Sequence, residues 1–182
     1  AAAVSVCNSN SLAWPCRKAI LLLMSPALRD LRSWPSGRQW LGCGLATAVL
    51  LAIAWLILPD FVDLSHRPSA LQMVKIGAVA FLFPALIEEL VFRGLLNPKQ
   101  TPLSIGLSTA LFVLWHPIAG YFLIPEAFPF VSDFRFLCFA ALFGLTFCLM
   151  RRITGSLWAP ILCHWIVTLT WKALGGARFL TD

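Results

Sequence analysis

Leu41 to Leu58 is an unbroken run of eighteen residues without a charge. Wound as a helix, such a run approaches the thickness of the hydrocarbon core of a bilayer. In hydrocarbon the backbone must satisfy its own polar groups, which leaves helices or closed barrels as spanning structures. The apolar runs of this chain do not alternate as barrel strands would, so helices are expected. Four more runs follow. Residues 70–96 form a long apolar segment whose only charges are Lys75, Glu88, Glu89 and Arg93. Leu103 to Pro125 is uncharged apart from His116, Phe136 to Met150 is uncharged, and Ile153 to Trp171 is uncharged apart from His164. Pro59-Asp60, the NPKQTP turn at 97–102, a loop at 125–135 and Arg151-Arg152 separate them. The expected fold is an all-α polytopic transmembrane bundle of about five spans.

Apolar residues make up 59% of the 182 and charged residues 12%. A soluble domain carries about 25% charged residues. This chain lacks the charge to coat a water-facing surface, which excludes a soluble enzyme, a disordered chain and a coiled coil. The net charge of +6 would suggest nucleic acid in a soluble protein. Here the basic residues flank apolar runs, so they report topology and the partner is the lipid bilayer. The six cysteines show no framework spacing and read as small buried hydrophobes.

The chain divides into a polar, interfacial N-terminal segment, 1–38, and a transmembrane domain, 39–182. Residues 1–18 fit a processed end, an over-extended reading frame or a targeting remnant. Residues 17–34 read as an interfacial amphipathic segment. With the N-terminus in the cytoplasm, nine of the fourteen basic residues lie on the inner side: Arg17, Lys18, Arg29, Arg32, Arg38, Arg93, Lys99, Arg151 and Arg152. A bacterial inner membrane is the expected location, with an organelle membrane as the alternative.

Ionisable residues inside a span cost roughly 2.5–3.5 kcal/mol each on insertion scales and mark function by default. Here Glu88, Glu89 and Arg93 share one span, His116 sits in the next and His164 in the last. Glu89 and Arg93 are i,i+4 neighbours in the favourable order and can neutralise each other. That leaves Glu88 beside a like charge in an apolar setting, where a carboxylate suits a general base near neutral pH. Pro117 follows His116, so the helix should kink or end there. Thr168 lies one turn after His164. Taken singly, each of these residues also fits a salt-bridged helix end or a hydrogen-bonded core histidine. Together, on three spans, they can converge on one water.

These residues resemble the motifs of the CPBP family, the CAAX-prenyl-protease and bacteriocin-processing (Abi) intramembrane proteases. Glu88-Glu89-Leu90-Val91-Phe92-Arg93 matches EExxxR, and Phe112 to His116 matches FxxxH. The lead-in Gly155 to Ile161 precedes His164, but Thr168 stands where the third motif carries asparagine. The resemblance covers about residues 70–171. It implies an α-helical membrane fold of up to eight helices around a conical cavity open to the cytosol. It also implies an intramembrane endopeptidase, a hydrolase that activates water for peptide cleavage. Carried over, Glu88 is the base with His116, Glu89 and Arg93 hold the helix, Phe112 supports, and His164 is the oxyanion donor. Thr168 must then replace an amide, which makes a slow or inactive copy conceivable.

The substrate would be a peptide or protein, prenylated or otherwise membrane-associated. The alternative is a non-catalytic pseudoprotease that binds a peptide, a bacteriocin or a membrane-protein partner, as a scaffold or in self-immunity. Glu88, His116 and His164 would satisfy a zinc site on paper. No HExxH pattern supports it, so no cofactor is expected, with zinc as the alternative. Depth is a constraint: from Leu103, His116 lies about 20 Å along its helix. The histidines and Glu88 meet only if the 97–105 connection dips inward, or if helices begin late and tilt.

Overall fold

The computed structural model describes residues 26–61 and 68–174. The expectations for residues 1–18, for the interfacial segment as far as residue 25, and for Arg67 and Arg178 in the charge balance lie outside the described residues. Five long helices form the bundle: α1 (Gly37–Ile57), α2 (Ala70–Leu95), α3 (Pro102–Phe122), α4 (Phe134–Thr154) and α5 (Trp158–Leu174). Among the described residues there is no strand. A short helical stretch at 26–32 precedes α1.

Helix starts are set by local polar chemistry. Ser36 and Gln39 form a reciprocal capping box before α1, and Ser69 and Gln72 repeat it before α2. Thr101 caps α3 ahead of Pro102, and Asp133 caps α4. Inside α2, Phe83 is extended (φ −141°, ψ 119°) and Pro84 follows, so the helix consists of two stretches joined at a kink. Gly155 ends α4 at φ +65°, a conformation that favours glycine.

α1 to α4 are long and apolar enough to cross a membrane. α5 has 17 residues, about 25 Å of helix, just short of that length. α4 packs against α1, α3 and α5, and α5 also packs against α1 and α2. Leu50 and Ala54 of α1, Leu58 at its C-terminal cap, Phe143 and Phe147 of α4, and Cys163 of α5 share one buried core. Large apolar side chains such as Leu41, Leu45 and Leu56 on α1 and Leu103 and Leu114 on α3 are exposed, as lipid contact requires. The protein is an integral membrane protein.

Several boundaries differ from the sequence expectations. α3 runs through Pro117 to Phe122; a proline removes one ladder bond, a loss that neighbouring helices offset in a bundle. The loop expected at 125–135 contains a 3-10 turn, Pro125–Ala127, and a single helical turn, Phe128–Val131. Cys138 is exposed, whereas Cys43, Cys148 and Cys163 are buried.

α4 continues past Met150 to Thr154, and Arg151 within it is fully buried. Its Nε and Nη2 donate to Asp30 Oδ2 at 2.9 and 2.6 Å. Its Nη1 donates to the Asn97 carbonyl at 2.7 Å and to the Arg93 carbonyl. With charge and donors satisfied, the helix needs no aqueous end there. α5 consequently starts at Trp158, five residues later than expected, and His164 falls in its second turn. Asn97 is fully buried and accepts from Ser104 Oγ at 2.6 Å, which ties the end of α2 to the start of α3. The late start of α5 leaves His164 opposite Glu89 of α2.

Candidate active site

α2 carries Glu88 and Glu89 on adjacent faces, and each meets a different neighbour. The last turns of α2 are wound wider than an α-helix: the Leu96 N–H bonds the Val91 carbonyl, five residues back, at 2.9 Å. Such bulges recur at functional sites.

Glu89 is fully buried. Its Oε1 lies 3.0 Å from Arg93 Nη1 and 2.8 Å from Nδ1 of His164 on α5. Arg93, equally buried, donates from Nη2 to the Gly144 carbonyl on α4 at 3.2 Å. Its guanidinium carbon sits 4.1 Å above the centre of the Phe112 ring and 5.5 Å from that of Phe147. The buried guanidinium is held by the Glu89 counter-charge, one hydrogen bond and the rings beneath it, while its Nε and Nη1 are buried without a hydrogen-bond partner.

His164 stacks on Phe147 with ring centroids 5.2 Å apart and meets the edge of Phe112 at 5.9 Å. Its Nδ1 engages the Glu89 carboxylate, which leaves Nε2 for the cavity. On α3, Nδ1–H of His116 donates to the Phe112 carbonyl at 2.8 Å, which again leaves Nε2. The His116 ring is held by Phe112 at 4.7 Å and Phe136 at 5.2 Å. Phe112 thus touches Arg93, His116 and His164 together.

Glu88 Oε1 accepts from the Trp115 indole N–H at 2.8 Å. Its Oε2 is buried without a protein partner. Glu88, Phe112, His116, His164 and Thr168 all line one cavity of about 220 Å³. The rest of that lining is mostly aromatic and aliphatic. Glu89 and Arg93 lie one layer behind. The structure therefore brings Glu88, His116 and His164 to a common space, with Glu89 supporting from outside it.

Among the described residues, no three His, Cys, Asp or Glu side chains are grouped so as to hold a metal ion. In the set Glu88, His116 and His164, the glutamate is bonded to Trp115 and His164 to Glu89.

Sequence reasoning missed Trp115, Gly144, Asp30 and Arg151. A signal for Trp115 existed: a buried indole N–H inside a span must find an acceptor. For Gly144, the reason is steric. A Cβ there would lie 3.1 Å from Phe112 Cδ1, 3.2 Å from Thr109 Cγ2 and 3.4 Å from Arg93 Nη2.

Residues 70–170, more than half of the chain, match the family model described as type II CAAX prenyl endopeptidase, Rce1-like. The match covers all three motifs and agrees with the resemblance they carry. Comparison with curated proteins and with solved structures found no match.

Proposed function

The chain belongs to the Rce1-like family of type II CAAX prenyl endopeptidases, and on that premise we propose that it hydrolyses a peptide bond with a water activated by Glu88. The observation that carries this reading is the placement of Glu88, with one buried oxygen lacking a protein partner, on the same cavity as His116 and His164. Glu88 Oε2 takes a proton as the water oxygen attacks the scissile carbonyl carbon. Trp115 holds the other oxygen and fixes the carboxylate plane. His116, with Nδ1–H tied to the Phe112 carbonyl, offers Nε2 to the same water. His164, oriented by Glu89, donates from Nε2 to the developing oxyanion in its doubly protonated form. The proton then passes from Glu88 to the leaving amine as the C–N bond breaks. No metal takes part in this scheme.

The substrate is a membrane-associated peptide, and the family name points to a prenylated CAAX tail. The aromatic and aliphatic lining of the cavity suits an apolar substituent. The test is cleavage of a farnesylated CAAX peptide and its unprenylated counterpart by the purified protein in detergent, with and without a zinc chelator. Glu88→Gln should cost about 10²–10⁴-fold in rate, the usual contribution of a general base. Turnover unchanged in that variant removes the mechanism, and turnover abolished by the chelator replaces it with a metal-dependent one.

Thr168, at the position of the motif asparagine, favours a second reading: a pseudoprotease that binds the peptide and does not cut it. In that case Glu88→Gln leaves binding intact and wild type shows no hydrolysis.

A further inference from the structure

Arg93 is gripped at both ends by one helix. Gly144 of α4 accepts from its guanidinium at 3.2 Å. Two turns on, Arg151 of α4 donates to its backbone carbonyl and, at 2.7 Å, to that of Asn97. These carbonyls belong to the C-terminal end of α2, where an intrahelical partner is lacking. Arg151 therefore serves as a side-chain cap for the helix that carries Glu88 and Glu89. Its counter-charge does not come from the bundle. It comes from Asp30, 3% exposed, on the helical stretch 26–32.

That stretch is fastened at further points. Asp30 and Leu31 accept through their carbonyls from Leu157 N–H at 3.2 Å and Trp158 Nε1 at 2.8 Å, and Ser33 accepts from Ser156 Oγ at 2.5 Å. Ala27 packs on Gly94, where an added Cβ would come within 3.1 Å of the Ala27 methyl. The residues it contacts, Gly94 and Ser156 to Trp158, border the two segments that carry Glu89 and His164.

We propose that Asp30 and Arg151 are positioning residues of the active site, and that the segment 26–34, outside the matched residues 70–170, is a working part of it. The line of contact runs from Asp30 through Arg151 to the Arg93 carbonyl, and from the Arg93 guanidinium through Glu89 to His164. Loss of the cap lets the end of α2 shift against α4 and α5, which turns Glu89 and His164 relative to Glu88. Displacement of this kind slows chemistry more than it weakens binding.

The kinetic arm of the test rests on the peptidase reading, and a spectroscopic arm does not. The variant is Asp30→Asn with Arg151→Met, which removes both buried charges together and so leaves neither unpaired. It should melt close to wild type, lose about tenfold or more in kcat per folded molecule, and keep KM within about twofold. In protein labelled with ¹⁵N-histidine, which has three histidines, the His164 Nδ1 resonance should shift. Arg151→Lys, which keeps a charge beside Asp30 but gives up the fork, serves if the double variant does not fold. Wild-type kcat together with an unmoved resonance would overturn the proposal. If wild type cleaves no peptide, the peptidase reading falls and the resonance alone decides: a shift supports the positioning role, and no shift removes it.

Discussion

Glu89 Oε1 stands 2.8 Å from His164 Nδ1 and so joins α2 to α5 at the edge of the cavity. The same oxygen lies 3.0 Å from Arg93 Nη1. One carboxylate thus neutralises a buried guanidinium and selects the ring nitrogen that His164 presents to the cavity. This is the logic of an orienting acid behind a catalytic imidazole.

Arg93→Ala should be strongly destabilising. It would leave Glu89 fully buried without its guanidinium partner and remove the tie to the Gly144 carbonyl. Breaking a buried pair from one side costs about 3–5 kcal/mol. The yield of folded protein and the melting temperature in detergent should both fall. Normal yield with normal turnover would show that the pair is not needed.

Trp115→Phe should act on Glu88 alone. The ring is kept, but Glu88 loses its one hydrogen-bond donor. Removing a partner from a buried acceptor costs about 1–3 kcal/mol. A freely rotating carboxylate is also less well placed to take the proton, so kcat should fall about tenfold with little change in KM. A fall in KM affinity with unchanged kcat would place Trp115 in substrate binding instead.

Gly144→Val should damage the site from behind. Even a Cβ meets Phe112 and Thr109 at 3.1–3.2 Å, and the branches add to that. Overpacking of this kind costs about 1–3 kcal/mol, and the displaced Phe112 should disturb His116 and His164. Gly44→Ala is the comparison on α1, where an added Cβ meets nothing within 4 Å; it should stabilise by up to about 1 kcal/mol through helix propensity. Equal melting temperatures for the two variants would show that the contact at Gly144 is slack.

Glu88, Glu89, His116 and His164 stood out in the sequence because a charge or imidazole in an apolar run is costly in lipid, and because, bland as each can be singly, together they spread over three spans. Arg151 misled for the same reason in reverse. A basic pair after an uncharged run normally means water, and the partner that cancels this one, Asp30, lies 121 residues away. Trp115 was hidden because an indole counts as apolar in any hydropathy reading, while its N–H is what matters at Glu88. The break between α4 and α5 depends on one residue, Gly155, whose left-handed backbone no periodicity could reveal. Pro117 shows the limit of punctuation rules in a bundle, where tertiary packing carries a helix past a missing hydrogen bond.

Thr168 lines the cavity one turn beyond His164. At this place the family motif carries an asparagine, whose amide N–H can reach an oxyanion. A threonine hydroxyl in a helix has a competing acceptor, the carbonyl four residues back. Thr168→Asn should therefore raise kcat, by up to about 10²-fold if a full donor is restored. Apparent substrate affinity should change less, because the oxyanion exists only as the reaction proceeds. The i,i+4 relation keeps residue 168 on the His164 face of α5, so the new amide enters the same space. Peptide cleavage is to be measured for wild type, for Thr168→Asn, and for Thr168→Asn combined with Glu88→Gln. A gain in the single variant that disappears in the double ties both residues to one reaction. A binding scaffold would gain no activity from either change. Equal hydrolysis in all three would take Thr168 and Glu88 out of the chemistry together.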